Sequence, residues 1–217
     1  PRFYTDIIYH GRSINKPPRD FNLSEGSFDL KQNAGDNVTS YYIGKWWTGA
    51  TGVPGGNNFA SPLIAPFIRL AEVYLNLAEA ANEAYGPDGA VAGMTARDAV
   101  NAIRNRVGMP DVESRYSTKE QFRERIRNER AVELCFEGNH RFTDVRRWEM
   151  IDKMDYREIY KIRITPDVTN NTEKYPTGWM FEKVLLETRP YYDRLYFFPV
   201  IKNDVDNAPN FEQNPGY

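Results

Sequence analysis

Aromatic side chains are the first candidates for chemistry in this sequence, because many of them lie in polar segments rich in glycine and asparagine. The 217 residues include 14 tyrosines, 12 phenylalanines and 4 tryptophans. A ring in such a segment can stack on the apolar face of a sugar or pack as a lid over a core, and the second use is more common. The densest run is 41–47 (YYIGKWW), followed by the glycine-rich stretch 48–56.

Acidic side chains could act in pairs, since a glycosidase needs only two carboxyl groups at a suitable separation. Glu72 with Glu79, or Asp152 with Asp155, can be nominated. Sequence does not give the separation, and the alternative is that Glu72 and Glu79 belong to a solvated or ion-paired helix face. We favour the ion-paired interpretation and predict no catalytic residue.

Charged residues are densest between 120 and 133. On a helix, spacings of three and four bring Arg125 near Glu129 and Arg130 near Glu133, which predicts mutual neutralisation. Glu129 and Glu133 also fall near an apolar face, so we expect partly buried carboxylates that must find arginine partners. Structural ion pairs are therefore favoured over catalysis here.

Other reactive groups are few. His10 and His140 are the only histidines, and their spacing does not suit zinc. Cys135, the single cysteine, lies in an apolar run and is interpreted as a small buried hydrophobe. Residues 204–207 (DVDN) lack the glycine and glutamate of a calcium loop and predict a turn. From these residues we expect no metal and no cofactor. A net charge of −2 provides no electrostatic field that would attract nucleic acid, so we also expect no nucleic-acid partner.

Amphipathic helices dominate the middle of the sequence. The first is predicted from Pro66 to Gly86, with an apolar face that includes Phe67, Leu70 and Tyr74. No apolar stretch reaches the roughly 18 residues that a membrane helix requires. The sequence starts without a signal peptide or an initiating methionine, so we expect a fragment of a longer precursor.

Capping signals mark two further helices. One begins at Thr95, where Asp98 completes an approximate capping box, and the next begins at Ser117 or Thr118 and runs to about Phe136. A short fourth helix is predicted over 141–148. Helix pairs of this size resemble tetratricopeptide units, although no 34-residue repeat is present.

Three segments follow from these patterns. Residues 1–62 predict loops and short strands, including a strand over 41–47, because glycine, proline, asparagine and serine recur. Residues 63–150 are predicted to form a helical platform. Residues 151–217 predict a small hairpin, with strands near 160–164 and 179–187, and a packed tail. The expected fold is mainly α, with tetratricopeptide-like helical hairpins, long irregular loops and a small β-hairpin.

Several motifs resemble those of the SusD/RagB family. The matching segments are 67–80 (FIRLAEVYLNLAEA), 100–110 (VNAIRNRVGMP), 126–148 (IRNERAVELCFEGNHRFTDVRRW) and 210–217 (NFEQNPGY). The openings of 1–4 (PRFY) and 40–45 (SYYIGK) are also similar, so the likeness covers nearly the whole chain. Departures are small: Thr143-Asp144-Val145 replaces the usual Phe-Asp-Leu, and Asn139-His140 is an addition.

The resemblance implies the C-terminal portion of a surface-exposed outer-membrane lipoprotein that captures nutrients. Family members are typically over twice this length, so the expected partners include the missing N-terminal half, which would carry the lipid anchor and follow the signal peptide. The other expected partners are a glycan ligand and a SusC-like TonB-dependent transporter. The motif helices resemble scaffold, so no residue in them is carried over as a ligand contact.

The leading hypothesis is non-catalytic glycan capture for nutrient uptake. The predicted contacts are loop aromatics with polar neighbours, namely Tyr42, Trp46, Trp47, Asn57, Asn58 and Trp179. Against them, Tyr42 and one of the two tryptophans must point inward if 41–47 is a strand. The rival hypotheses are a glycoside hydrolase that uses a carboxylate pair and a tetratricopeptide-like scaffold that binds only proteins.

Overall fold

Short elements near the start of the chain give way to longer helices in its middle. The computed structural model describes residues 1–15, 18–30, 37–46, 66–208 and 210–217. The first elements, numbered in chain order, are α1 (Arg2–Asp6), β1 (Ile7–Ile8), β2 (Ser13–Asn15), β3 (Pro18–Asp20) and β4 (Tyr42–Ile43). The middle elements are α2 (Leu70–Tyr85), β5 (Ala90–Val91), β6 (Met94–Thr95), α3 (Ala96–Arg106), α4 (Lys119–Glu133) and α5 (His140–Arg147). The last elements are α6 (Met154–Arg157), β7 (Glu158–Pro166), β8 (Trp179–Thr188), a 3₁₀ turn (Asp193–Tyr196) and α7 (Lys202–Asn207). The fold is mainly helical with small β-hairpins, as predicted.

Helix α2 lies against both α3 and α4. Its contact face consists largely of small residues, since Ala71, Ala78 and Ala81 are buried there together with Leu75. Alanine keeps the helix backbones close, and Phe122 and Ile126 of α4 pack with Ala78 and Ala81 in one cluster. Ala71 and Leu75 pack with Ile103 and Leu134 in a second cluster, and the two clusters are the core of the helical platform. The tetratricopeptide-like arrangement of the helix pairs stays a prediction.

Both predicted capping boxes are present. Thr95 Oγ1 accepts a hydrogen bond from the Asp98 backbone N–H at 3.0 Å, and the Asp98 carboxylate accepts one from the Thr95 N–H at 3.0 Å. Thr118 and Gln121 form the second box at the start of α4. Helix α2 ends where predicted, because Gly86 adopts a φ of 83° that favours glycine.

Two helix boundaries differ from the prediction. Helix α2 begins at Leu70 rather than Pro66, so Phe67 lies outside it and is 99% exposed, while Leu70 itself is 65% exposed. Helix α4 ends at Glu133 rather than near Phe136, because Phe136 takes a φ of 61° that a helix does not allow. Phe67 and Leu70, which the pattern assigned to the apolar face of this helix, are thus largely exposed to solvent among the residues that the structure describes.

A second hydrophobic cluster joins the start of the chain to the C-terminal hairpin. Ile8, Phe21 and Leu23 pack with Ile164 of β7, and all four side chains are buried. Strands β7 and β8 are antiparallel, with Ile162 opposite Lys183, so the predicted hairpin is confirmed. This cluster fixes the irregular N-terminal segment, which itself consists of short strands and a five-residue helix.

The strand predicted over 41–47 is shorter in the structure. Only Tyr42 and Ile43 pair with β1, and the backbone N–H groups of Gly44 and Lys45 then both donate to Asp6 O, at 2.7 and 3.0 Å. Residues 204–207, predicted as a turn, lie in α7 instead, where Lys202 Nζ is 2.7 Å from Asp206. Among the described residues, no helix has the length and apolar character needed to cross a bilayer.

Candidate functional site

Tyr42 and Trp179 pack against the same buried cluster of Ile8, Phe21 and Ile164. The Tyr42 hydroxyl donates to Asp29 O at 2.5 Å, and the Trp179 ring meets the edge of His10 at a centroid distance of 4.4 Å. Both rings are half-buried. The structure therefore brings these two predicted residues to one region, where each also contributes to packing.

Trp46 lies in a different place. Its Nε1–H donates to Phe136 O at 2.8 Å, and its half-buried ring lines a cleft of about 420 Å³ together with Arg69 and Glu137. Trp47, Asn57 and Asn58 lie outside the described residues. The predicted set is therefore divided between two regions and a segment about which the structure says nothing.

An exposed group of four rings, here called the aromatic cluster, was not singled out by the sequence reasoning. It consists of Phe3, Tyr4, Tyr9 and Tyr41. Phe3 is at its centre, with ring centroids 5.5 Å from Tyr4, 5.3 Å from Tyr9 and 6.1 Å from Tyr41. Tyr4 remains 65% exposed and Phe3 45%. The adjacent Phe3-Tyr4 pair was the available signal, but its pairing with Tyr41 depends on tertiary structure.

Local structure explains the aromatic cluster. Phe3 and Tyr4 are on α1, Tyr9 follows β1, and Tyr41 directly precedes β4. The antiparallel pairing of β1 with β4, with Ile8 opposite Tyr42, brings Tyr41 back to the first turn of the chain. Burial raises the pKa of Tyr41 above its usual value of 10.0, so its hydroxyl stays neutral and can donate a hydrogen bond. Exposed ring faces with neutral hydroxyls suit a neutral, partly apolar ligand.

Three carboxylates of the α4 region form a buried ion network. Glu129, Glu133 and Glu137 are each no more than 6% exposed. Glu133 contacts Arg2 at 2.9 Å, Arg69 at 2.7 Å and Arg106 at 2.7 Å. The other ion pairs are Glu129 with Arg2 and Arg104, and Glu137 with Lys45 and Arg69.

The expectation that these carboxylates find arginine partners is confirmed, but the partners differ from those predicted. Arg130 pairs with Asp144 at 2.6 Å rather than with Glu133, and Arg125 stacks over the Tyr116 ring. The actual partners of Glu129 and Glu133 are 25 to 131 residues away along the chain. Sequence spacing along one helix could not identify such distant partners.

The same contacts disfavour acid–base chemistry at this network. Burial alone would raise the pKa of Glu137, but hydrogen bonds from Arg69 and Lys45 and their positive charges outweigh it, and the pKa is lowered. A general acid at neutral pH needs a raised pKa instead. Glu133 lines the cleft beside Trp46, yet its oxygens are already occupied by arginines.

Three of the four carboxylates nominated from the sequence, Glu72, Glu79 and Asp152, have partners. Burial would raise the pKa of Glu79, but hydrogen bonds from Arg147 and Trp148 lower it overall. Glu72 lies 3.8 Å from His140 Nε2, and Asp152 lies 2.9 Å from Lys153 Nζ. The ion-paired interpretation of the α2 face therefore agrees with the structure.

Nucleophile and metal chemistry find little support among the described residues. Burial raises the pKa of the Cys135 thiol, whose Sγ lies 3.7 Å from Asp6 Oδ2, so the reactive thiolate is disfavoured. Cys135 is half-buried rather than fully buried. His10 Nδ1 accepts the Leu23 N–H at 3.1 Å, and burial lowers the pKa of His10. No group of three or more potential metal ligands occurs in the described part of the chain.

Comparison with known proteins agrees with the resemblance seen in the motifs. The model of the SusD family matches residues 1–217. A SusD-like protein from Bacteroides fragilis is 30% identical with a TM-score of 0.76, over 100% of this chain and 39% of that one. The protein BT4246 is 25% identical with a TM-score of 0.70, over 100% and 36% of the respective chains.

A third structure is a SusD-like carbohydrate-binding protein from Bacteroides fragilis. It is 22% identical with a TM-score of 0.64 and shows a shared fold over 92% of this chain and 39% of its own. No curated protein matches the sequence. The chain thus spans between 36% and 39% of the length of these solved structures.

Proposed function

The chain belongs to the SusD family, and from this premise we propose that it is part of a non-catalytic cell-surface protein that binds glycan nutrients. The ligands are oligo- or polysaccharides, which the protein delivers to a SusC-like TonB-dependent transporter of the outer membrane. The protein is held at the surface as a lipoprotein.

The aromatic cluster is the observation that supports this proposal most. Sugar rings have apolar faces of C–H groups, and Tyr4 and Phe3 offer exposed ring faces at an angle to each other, with an interplanar angle of 87°. Because the cluster contains no ionised group, it favours capture over chemistry. The ion-paired carboxylates of the α4 region favour the same interpretation.

The residues predicted from the sequence remain proposed contacts. Trp46 lines the cleft beside Glu137, so we propose that its ring contacts a ligand there. Its Nε1–H donates a hydrogen bond to the Phe136 carbonyl oxygen. Tyr42 and Trp179, which pack on the buried cluster of Ile8, Phe21 and Ile164, are proposed as contacts there. Trp47, Asn57 and Asn58 stay proposed as further contacts.

The proposal is tested by calorimetric titration of the protein, at its full natural length, against a panel of soluble oligosaccharides. Replacement of Tyr4→Ala should weaken binding about fivefold, corresponding to loss of about 1 kcal/mol of ring contact. Tyr85→Ala is the matched control, since Tyr85 is 66% exposed and Tyr4 65%. Equal affinities for the two variants would exclude the aromatic cluster as the site, and no binding to any glycan would exclude the proposed function.

A hydrolase is distinguished by a separate measurement. Incubation with the glycans that bind should produce no new reducing ends. Cleavage that disappears in the Glu137→Gln variant would contradict the non-catalytic proposal. Delivery to a transporter is tested by co-purification with a SusC-like partner from membranes that contain both proteins.

A further inference from the structure

A cleft of about 500 Å³ lies between α5, α6 and the segment that follows β8, far along the chain from the aromatic cluster. Its volume is within the range of ordinary small-ligand pockets. Its lining is rich in arginine and aromatic residues, among them Arg141, Arg146, Arg157, Arg189, Phe142 and Tyr156. The only acidic residue among its lining groups is Asp155. Arg189 pairs with Glu187 at 3.3 Å, so the positive charge of the cleft comes from the other three arginines, in a chain whose net charge is −2.

Three of these arginines form no ion pair with a carboxylate in the part of the chain that the structure describes. Arg141 lies over the Tyr156 ring at 4.5 Å, and Arg146 lies over the Phe142 ring at 3.3 Å. Arg157 Nε donates to the Arg189 carbonyl oxygen at 3.0 Å. A guanidinium that stacks on a ring keeps its N–H edge available in the plane of the group.

The neighbouring arginine shows the contrast. Arg147, next in sequence to Arg146, contacts Asp144 at 2.9 Å and Glu79 at 2.5 Å. Arg146 instead donates to the Phe142 carbonyl oxygen at 3.0 Å. Burial lowers the pKa of Arg146, and the opposing charge contributed by Tyr217 offsets this only in part, which is consistent with a cation that is partly removed from water and incompletely neutralised. An incoming anion would supply the remaining negative charge.

We propose that this cleft binds an acidic sugar unit, one that carries a carboxylate or a sulfate group, as a second subsite for the ligand. The inference rests on the proposed glycan-binding function and adds the charge class of the glycan. The arginine edges pair with the planar or tetrahedral anion, since guanidinium groups bind such oxygens in a fork geometry. Asp155 is placed to accept a hydrogen bond from a sugar hydroxyl.

The test compares ligands that differ only in charge. Trigalacturonic acid, its fully methylated ester and a sulfated galactotriose are titrated into the protein at its full natural length by calorimetry. We expect the acid, the sulfated sugar or both to bind about tenfold more tightly than the neutral ester, because hydrogen bonds to charged groups are stronger than neutral ones. That preference should decrease as sodium chloride is raised.

Variants assign the preference to the cleft. The double variant Arg141→Gln/Arg146→Gln should lose the preference, so that it binds the charged sugars and the neutral ester with about equal affinity. Arg115→Gln is the matched control, because Arg115 also stacks on a tyrosine but lies outside the cleft. If circular dichroism shows that the double variant does not fold, the single Arg141→Gln variant, whose side chain is exposed, gives the same comparison.

The outcomes separate the two proposals. Equal binding of charged and neutral sugars, or a preference that survives in the double variant, overturns the acidic subsite and leaves glycan capture intact. Absence of binding to every sugar overturns both. A preference for the charged sugars that the double variant loses and Arg115→Gln keeps supports both.

Discussion

Glu133 accepts hydrogen bonds from arginines of three separate parts of the chain. Arg2 precedes the short strands, Arg69 precedes α2, and Arg106 ends α3. The Glu133 side chain is 2% exposed, so loss of its charge removes a buried anion that three guanidiniums share, although Arg2 keeps Glu129 and Arg69 keeps Glu137. At the scale of single residues, this carboxylate is the centre of the ion network.

Replacement of Glu133→Gln should therefore lower the free energy of unfolding by about 3 kcal/mol. Glu124→Gln provides the control, since Glu124 is 56% exposed and pairs only with Arg127 along the same helix. The control should change stability by less than about 0.5 kcal/mol. Urea denaturation followed by circular dichroism measures both, and similar values for the two variants would show that the network is not stabilising.

Gly44 is a second position where one residue type is required. A Cβ at this position would overlap Arg12 Nη1 and lie 3.1 Å from Thr5 O, in backbone that cannot retreat without breaking the β1–β4 pairing. Gly44→Ala should lower the melting temperature. Gly93→Ala is not a suitable control, because Gly93 has a φ of 82° and alanine is strained in that conformation. Thr177→Ala, on an exposed turn between β7 and β8, is the comparison.

At the scale of elements, the helix starts marked by capping boxes could be predicted, whereas the start of α2 and the ion-pair partners could not. The capping boxes at Thr95 and Thr118 involve residues three apart, and such contacts form whenever the helix forms. Partners such as Arg2 and Glu129 depend on how distant elements pack. The aromatic cluster was missed for the same reason, since it requires β1 and β4 to pair.

The capping box of α3 gives a prediction at this scale. Thr95→Ala should lower the free energy of unfolding by about 1 kcal/mol, because the Asp98 N–H then has no acceptor at the helix start. Thr95→Ser keeps the hydroxyl and should cost much less. Thermal unfolding of the three proteins at pH 7 measures the difference, and equal losses for alanine and serine would contradict a role for the cap.

At the scale of the whole molecule, the balance of charges predicts how stability depends on pH. The pKa of Glu83 is lowered from 4.5 chiefly by its hydrogen bond with Arg123, and the pKa of Glu137 is lowered although burial opposes it. A carboxyl group whose pKa is lowered by folding stabilises the folded state fully above its ordinary pKa of 4.5. This stabilisation is lost as the pH falls through the pKa that the group has in the folded protein. Burial also lowers the pKa of His10, which adds a loss that begins near 6.5.

The melting temperature should therefore decrease slightly below pH 6.5 and steeply below pH 4.5. Glu137→Gln should make the acid part of the curve shallower and leave the part above pH 5 parallel to that of the unchanged protein. Scanning calorimetry at constant ionic strength provides the curve. A melting temperature that rises as the pH falls from 7 to 4 would contradict this account.

The contact between Arg2 and Glu133 also sets an order of events during protein synthesis. The two residues are 131 positions apart, so at ribosomal rates of about 5 to 20 residues per second the arginine emerges about 7 to 26 s before its anion. Throughout that interval the first turn of the chain lacks the carboxylates that hold it. Its aromatic side chains are then open to chaperones or to premature association, and a pause in translation before α4 would lengthen this exposure.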